Sequence, residues 1–376
     1  RDQIGRIVAP VDKRSMSLVR YEPYGVVGCI IPWNYPLSLM GWKLAPALAA
    51  GNTVVMKPSE ITSLSILNWI EAVGDVMPPG VMNVVTGYGN EAGEAIVKHP
   101  KVPIITFTGS VKTGKRIAKL ASKNLKKVSL ELGGKDPVIV CDDADIEVAA
   151  KGTSWGGFVN AGQVCTSVER VYVYEKIASR FTEALVEEAN KIKLGNPMEE
   201  TTDVGPMASL SQLKNTMDKV ALAKRQGARI LTGGRKSEQL EKGYFYLPTV
   251  FDKITSKMDI VSEESFSPVI PVQKIESMDE AIKLANSTKY GLGCTIFTKD
   301  LERAMESADK IKSGTVCINS PLMENIAAPF GGMNQSGIGR EHGTEALEEF
   351  RQAKHIFIDY NHKNKSWWFN KTKNNE

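Results

Sequence analysis

Residues 162–167, GQVCTS, place Cys165 between a glycine–glutamine turn and two small hydroxyl residues. A thiol in that setting has four available roles: nucleophile, disulfide partner, metal ligand or packing. The five cysteines, at 29, 141, 165, 294 and 317, are odd in number and widely spaced, with no CxxC pair. That pattern makes neither a disulfide framework nor a zinc site, and it points to a reducing compartment, taken here as the cytoplasm. His99, His342, His355 and His362 contain no i, i+4 pair, so no metal site is expected. Cys29, Cys141, Cys294 and Cys317 lie in apolar runs that suit buried packing. Packing fits Cys165 poorly, because its neighbours are Gly162, Gln163, Thr166 and Ser167.

A nucleophilic thiol needs a base and a donor for the negative oxygen its attack creates. LELGG (130–134) ends an apolar run with Glu131 and two glycines. Partial burial there raises a carboxyl toward general-base range, and the glycines let a ligand or another backbone approach closely. In PWNYP (32–36) two prolines hold the backbone around Asn34. Its amide is a fixed donor for an oxyanion, or equally a cap for the next helix. MKPSE (56–60) pairs Lys57 with Glu60, which bracket a ribose or form a solvated loop pair; a carboxylate there repels a 2′-phosphate and favours NAD over NADP. GSVKTGKR (109–116) nearly spells a nucleoside-triphosphate loop, but Arg116 stands where the magnesium-binding hydroxyl is required. A strand, a glycine turn and a helix still offer backbone N–H groups to a diphosphate, although alone this would be a plain turn.

The elements that must position these groups alternate regularly. Residues 5–22 read as a hairpin. Apolar strands at 25–31, 53–58, 81–87, 103–109 and 127–132 then alternate with helices at 37–51, 63–77, 91–99 and 111–122. Near-continuous apolar strands separated by helices predict a parallel sheet covered on both faces. Asn34, Lys57 to Glu60, GYGNEAG and TGSVKTG all fall after carboxyl ends of strands, where such sheets bind ligands. A second alternation starts near 134, with strands at 137–141 and 170–175 and helices at 145–158 and 177–191. A loop-rich stretch is expected over 195–270, then helix, strand, helix, strand, and a late strand at 353–360 able to pair with the hairpin.

Composition excludes several classes. The 376 residues carry a net charge of only +4, with basic and acidic residues interspersed, so no nucleic-acid partner is expected. No apolar run reaches the ~18 residues of a membrane span, and the opening residues show no charged and apolar leader pattern, so neither a membrane span nor a secretory signal is expected. The tail NKSWWFNKTKNNE is basic with paired tryptophans; packing on a neighbouring subunit is expected, with interfacial membrane contact the alternative.

GQVC resembles thiol proteases, which also place glutamine before the nucleophile, but Glu131 makes a more convincing partner for this thiol than a histidine. A wider resemblance is more specific. PWNYP, KPSE, FTGSVKTG, LELGGK, GQVCTS, EESFSPV and PFGGMNQSGIGRE, in this order and spacing, are similar to the aldehyde dehydrogenase superfamily over essentially residues 5–360, with Glu131 lying 34 residues before Cys165. The resemblance implies an α/β fold: a Rossmann-type parallel-sheet cofactor domain, a second α/β catalytic domain and a small β oligomerisation element. The divisions it implies are an oligomerisation hairpin at 1–24, an NAD-binding domain at 25–133, a catalytic domain at 134–336, and a return to the cofactor domain with an oligomerisation strand and tail at 337–376. Members carry a further segment ahead of the position of Arg1, so the cofactor domain would be shortened at its amino terminus.

The resemblance also implies NAD-dependent oxidation of an aldehyde to a carboxylic acid, in the EC 1.2.1 class. Cys165 would be the nucleophile, Asn34 and the Cys165 backbone N–H the oxyanion site, and Glu131 the base that activates water. Lys57 and Glu60 would bind the adenosine ribose, with Ile31, Pro32, Ser59, Gly89, Gly93 and Phe107 beside the cofactor. Gly109, Ser110 and Gly114 would approach the diphosphate, and Trp33, Leu132, Glu264 and Phe266 would line the nicotinamide half. Tyr35, Leu39, Trp42, Val164, Thr166 and Phe330 would line the aldehyde tunnel, and Glu324, if it faces that tunnel, would favour a polar or cationic aldehyde. Members assemble through a late strand like HIFIDY, implying a homodimer or homotetramer. Members that transfer the acyl group to coenzyme A lack this glutamate. Two alternatives stay open at this point: such a CoA-acylating enzyme, and a truncated, non-catalytic binding or oligomer-forming protein.

Overall fold

The computed structural model describes residues 5–361 together with Lys365, Trp367 and Trp368. Three sheets organise the chain. The first contains, in spatial order, Gly337–Ile338, Lys127–Leu132, Ile104–Gly109, Val26–Ile30, Thr53–Lys57 and Met82–Val84. All run parallel except Gly337–Ile338, which is antiparallel to Lys127–Leu132. The chain builds outward from Val26–Ile30 in one direction, then returns to place Ile104–Gly109 on its other side. Strand order therefore reverses between these two strands, and a crevice opens beyond their carboxyl ends. Helix Pro36–Ala49 covers one face. It starts on a proline that matches helical φ, and it buries Leu39, Met40, Leu44 and Ala47 at three- and four-residue spacing. Helix Val111–Ala121 covers the other face through Ile117 and Ala121, packed on Ile105 and Leu130.

The second sheet has seven strands: Arg229–Thr232, Thr249–Asp252, Val269–Ile275, Val168–Tyr174, Asp136–Val140, Gly293–Phe297 and Thr315–Ile318. Only the pair Arg229–Thr232 and Thr249–Asp252 is antiparallel. Helices Ile146–Phe158 and Glu175–Lys191 bury Phe158, Phe181 and Leu185 against one face. The crossing between the two large sheets is short: Lys127–Leu132 ends, Gly133, Gly134 and Lys135 follow, and Asp136–Val140 begins. The carboxyl edge of the first sheet thus meets the amino edge of the second.

The third sheet pairs Arg6–Val8 with Ser15–Pro23, and Ser15–Pro23 with Arg351–Asp359, all antiparallel. Ile7, Val8, Phe357 and Ile358 on it are exposed.

Two expectations are refined. The stretch 195–270 is mostly loop, as expected, but it also holds the sixteen-residue helix Leu210–Arg225 and strands Arg229–Thr232 and Thr249–Asp252. The buried stripe of that helix is Leu213, Thr216, Val220 and Ala223, so a threonine and an alanine dilute the apolar period. The helix predicted at 91–99 opens as a π-helical turn, Gly89–Gly93, before the short α-helix Glu94–Lys98. Most of the tail reading lies outside the described residues; Trp367 and Trp368 are exposed, and Lys365 pairs with Asp359. Among the described residues no helix is long and apolar enough to cross a membrane.

Candidate active site

Cys165 lies in the turn between helix Ile146–Phe158 and strand Val168–Tyr174, at the amino edge of the second sheet. Its approach is strained: Asn160, Ala161 and Gly162 are successively left-handed, with φ of 52°, 56° and 67°. Each non-glycine residue there costs ~1–2 kcal/mol, so the surroundings must hold it. Asn160 Nδ2 donates to the carbonyls of Asn34 and Gln163, at 3.2 and 3.3 Å. The Gln163 side chain donates back to Asn160 O at 2.9 Å and accepts from Ala208 N at 2.9 Å. A Cβ on Gly162 would collide with the Ser267 backbone, which explains that glycine. Asn34 Nδ2 donates to Gln163 O at 3.1 Å and keeps a second N–H for other use.

Asn34 and Cys165 border two cavities at once. One, of about 270 Å³, adds Pro32, Trp33, Thr108, Gly109, Ser110, Glu131, Leu132, Gly133, Lys219, Glu264 and Phe266. The other, of about 280 Å³, adds Tyr35, Ser38, Leu39, Trp42, Trp155, Val159, Val164, Thr166, Leu322 and Glu324. The amide and the thiol therefore sit at the junction of two chambers, and Glu131 opens into the first.

Glu131 is 3% exposed, and neither carboxyl oxygen has a hydrogen-bond partner. Burial drives its carboxyl well above the usual range; the Glu341 charge adds to this and Lys43 opposes it. Lys43 is fully buried, donates to Thr108 Oγ1 at 2.6 Å and pairs with Glu341. Burial also drives the Cys165 thiol well above its ordinary value, with Glu131 and Asp136 pushing the same way. The resting thiol is thus protonated and depends on a nearby proton acceptor.

The first chamber fits a dinucleotide. It opens at the strand-order reversal, where helix Val111–Ala121 begins with Ser110 accepting from Thr113 N at 3.3 Å. The first-turn N–H groups of such a helix attract phosphate. A Cβ on Gly114 would come within 2.6 Å of Leu132, so this glycine lets the helix sit close to its strand. Glu264 lies directly on Gly133, where a Cβ would overlap its carboxyl. Burial raises that carboxyl to about 8, with Glu169 adding to the effect. The turn is held by the buried pair Lys135 and Glu169, 2.7 Å apart. Glu169 accepts from Ser265 N and Phe266 N, both at 2.6 Å, which fixes Phe266 in a left-handed conformation (φ 49°). Its ring then meets Trp33 edge-on at 5.4 Å.

Of the expected cofactor residues, Pro32, Trp33, Gly109, Ser110, Leu132, Glu264 and Phe266 border this chamber. Ile31, Lys57, Ser59, Glu60, Gly89, Gly93, Phe107 and Gly114 do not. Lys57 is buried at the next strand end, with Nζ 3.1 Å from Glu60 Oε2, and its carbonyl accepts from Ile31 N at 3.0 Å. Ser59 and Phe107 are buried nearby, and the Gly89–Gly93 turn follows strand Met82–Val84 at the same sheet edge. Of the expected tunnel residues, Phe330 alone stays out of the second chamber; it is buried behind Trp42, ring to ring at 5.2 Å. Lys43, Thr108, Lys135, Asn160, Glu169 and Glu341 escaped the sequence reading. The signal that marked Glu131, a charge in an apolar run, also marks Glu169 in SVERVYVY and Lys43 in MGWKLAPAL. Among the described residues, no group of three or more His, Cys, Asp or Glu is placed to hold a metal ion.

An amide, a carboxyl and a thiol brought to the meeting of a Rossmann-type edge and a second α/β sheet define a dehydrogenase architecture. The model of the aldehyde dehydrogenase family matches residues 2–356, and the chain belongs to that family. It is 43% identical over 365 residues to retinaldehyde dehydrogenase 3 of Rattus norvegicus, covering 96% of this chain and 71% of that protein. It is 42% identical over 363 residues to the chloroplastic betaine aldehyde dehydrogenase of Beta vulgaris, covering 96% and 72%. The crystal structure of betaine aldehyde dehydrogenase from Staphylococcus aureus in complex with NAD+ superposes with a TM-score of 0.95 at 42% identity, covering 98% of this chain and 73% of that one.

Proposed function

We propose that this chain oxidises an aldehyde to a carboxylic acid with NAD, through a covalent adduct on Cys165. The observation that carries this reading is the shared position of Asn34 and Cys165 between the two chambers, with Glu131 opening into one of them. An aldehyde held in the second chamber presents its carbon to the thiol. Glu131, with two unpartnered oxygens, accepts the thiol proton. As sulfur adds, the carbonyl oxygen becomes negative and is stabilised by the free N–H of the Asn34 amide and by the Cys165 backbone N–H. One such donor is worth roughly 2.7–4 kcal/mol. NAD, when bound along the carboxyl edge of the first sheet, supplies the hydride acceptor. Cys165 then carries an acyl thioester. Glu131 gives up the thiol proton to solvent, then takes a proton from water as the water oxygen attacks the thioester, and returns that proton to sulfur as the acid leaves. Glu264 and the Trp33–Phe266 pair orient the nicotinamide end, and Lys57 with Glu60 the adenosine end.

Glu131 also favours hydrolysis over acyl transfer to coenzyme A. We further assign residues 25–133 to NAD binding and 134–336 to catalysis, with the three-stranded sheet joining copies into a homodimer or homotetramer through its exposed apolar residues. The free cysteines accord with the cytoplasm. The test follows NADH absorbance with butanal, with and without coenzyme A, while sedimentation reports assembly. NADH formation that is independent of coenzyme A is expected. No NADH with any aldehyde would overturn the reading, and strict dependence on coenzyme A would replace it with the acyl-transfer enzyme.

A further inference from the structure

Residues 131–133, Cys165 and residues 264–266 line the cofactor chamber from three separate parts of the chain. One buried ion pair ties these parts together. Lys135 follows Glu131 by four residues, and Glu169 follows Cys165 by four. Both side chains are buried, and they meet at 2.7 Å. Glu169 Oε2 accepts from Lys135 Nζ and from Ser265 N, while Oε1 accepts from Phe266 N at 2.6 Å. Lys135 Nζ also donates to Ser265 Oγ at 2.9 Å. Arg170, the next residue, donates to Lys135 O at 2.6 Å and to Leu284 O and Ala285 O at the end of helix Met278–Ala285. Lys219 donates to Glu264 O from the other side. A Cβ on Gly134 would stand 2.7 Å from Cys165 O, so the crossing that carries Lys135 lies against the backbone of the nucleophile.

Resting on the aldehyde-oxidising reading, we propose that Lys135 and Glu169 are positioning residues for hydride transfer: the pair sets where Glu264 and Phe266 stand relative to Cys165, and so where the nicotinamide rests against the carbon bound to sulfur. Neither side chain borders the chamber, so neither touches the cofactor or the adduct. They act through the turn they hold. Phe266 is left-handed (φ 49°), a costly conformation for a bulky residue, and its amide bond to Glu169 keeps it there. A carboxylate suits this place because two acceptor oxygens serve a lysine and two amides at once; a glutamine has only one. Lysine suits it because an unpaired carboxylate could not stay charged at that depth. Glu131 and Cys165 keep supports of their own, in the strand ladder with Thr108 and in the Asn160–Gln163 bonds. The two halves of the reaction therefore depend on the pair unequally. Hydride transfer fails when its partners are misplaced by about 1 Å, whereas hydrolysis of the thioester needs no nicotinamide in place.

The experiment follows NADH formed from butanal and from butanal deuterated at the aldehyde carbon. It also follows hydrolysis of p-nitrophenyl acetate, which acylates a thiol with no hydride to transfer. Glu169→Gln should lower kcat for butanal by about 10²-fold, show a full primary isotope effect and leave ester hydrolysis nearly unchanged. That variant also strands the Lys135 charge, so it is repeated with Lys135→Met in the same chain. The double variant should regain the urea midpoint lost by the single one, yet keep the low kcat and the isotope effect, since its glutamine offers one acceptor oxygen to two amides. Equal losses of butanal and ester turnover, a variant isotope effect near unity, or a double variant whose kcat returns with its stability would each overturn the assignment. Butanal oxidation by the unaltered protein tests the reading beneath it: no NADH there sinks that reading, whereas NADH there with an undiminished Glu169→Gln sinks the positioning pair alone.

Discussion

The two chambers that meet at Cys165 are built in different ways. The cofactor side is made by backbone: a strand-order reversal, a helix amino terminus at Val111 and close approaches at Gly114 and Gly133. The aldehyde side is made by side chains from distant parts of the chain, Trp42 from one helix, Trp155 from another and Glu324 from a late loop. A backbone-built site is general, because any dinucleotide presents the same diphosphate. A side-chain site is particular, because one residue alters its charge or its depth. Family membership therefore speaks strongly for the first chamber and weakly for the contents of the second.

The largest expected effect falls at the shared wall. Cys165→Ser should reduce turnover by roughly 10³-fold or more. NAD binding, followed by tryptophan quenching, should survive because the cofactor side does not depend on the thiol. Loss of both together would break the comparison, showing one site where two are drawn.

Next comes Glu131, which faces the cofactor chamber but serves the acyl intermediate. Glu131→Gln should release a burst of NADH and then stall, with steady turnover lower by about 10²–10⁴-fold. The same residue sets the pH dependence. Its carboxyl is raised by burial, and the Cys165 thiol is raised too. Below those raised values both groups are protonated and inactive, so kcat should climb as pH increases through neutrality into the alkaline range. A flat kcat between about pH 6 and 9 would contradict the assignment of the base.

The same contrast explains what the sequence revealed. Alternating apolar runs exposed the parallel sheet because strands buried on both faces carry that pattern whatever their partners. Motifs flanking strand ends revealed Asn34, Cys165, Glu131 and the glycines, since turns demand particular residues at particular places. The helix Leu210–Arg225 was hidden by a stripe containing Thr216 and Ala223. Lys43 and Glu341 were hidden for another reason: they stand 298 residues apart and meet only through the tertiary fold. Charge pairs between distant elements leave no periodic trace.

Lys43 accordingly supplies a test of stability more than of binding. Its side chain is fully buried, and that of Glu341 is 6% exposed. Lys43→Met should strand the Glu341 carboxylate and cost about 3–5 kcal/mol in a urea titration. Changing Glu341→Gln in the same chain should recover part of the loss, since an uncharged amide no longer lacks its counterion. No recovery would show that the lysine acts by packing on Thr108 and its neighbours alone.

The smallest effect belongs to the outer end of the cofactor side. Glu60 is 46% exposed, with Lys57 as its partner at 3.1 Å. A carboxylate so close to water is strongly screened, and its repulsion of a 2′-phosphate is worth only about 0.5–1 kcal/mol. Glu60→Gln should therefore narrow the preference for NAD over NADP by a few-fold, read as the ratio of kcat/KM values for the two cofactors, and the narrowing should fade in high salt. Lys57 argues for the same order of magnitude. Freed from its acid, its ammonium becomes available to the added phosphate, so both changes act in one direction. A ratio that does not move would make Lys57 and Glu60 a solvated pair at a strand end, and the specificity of the backbone-built chamber would then have to lie in the Gly89–Gly93 turn beside it.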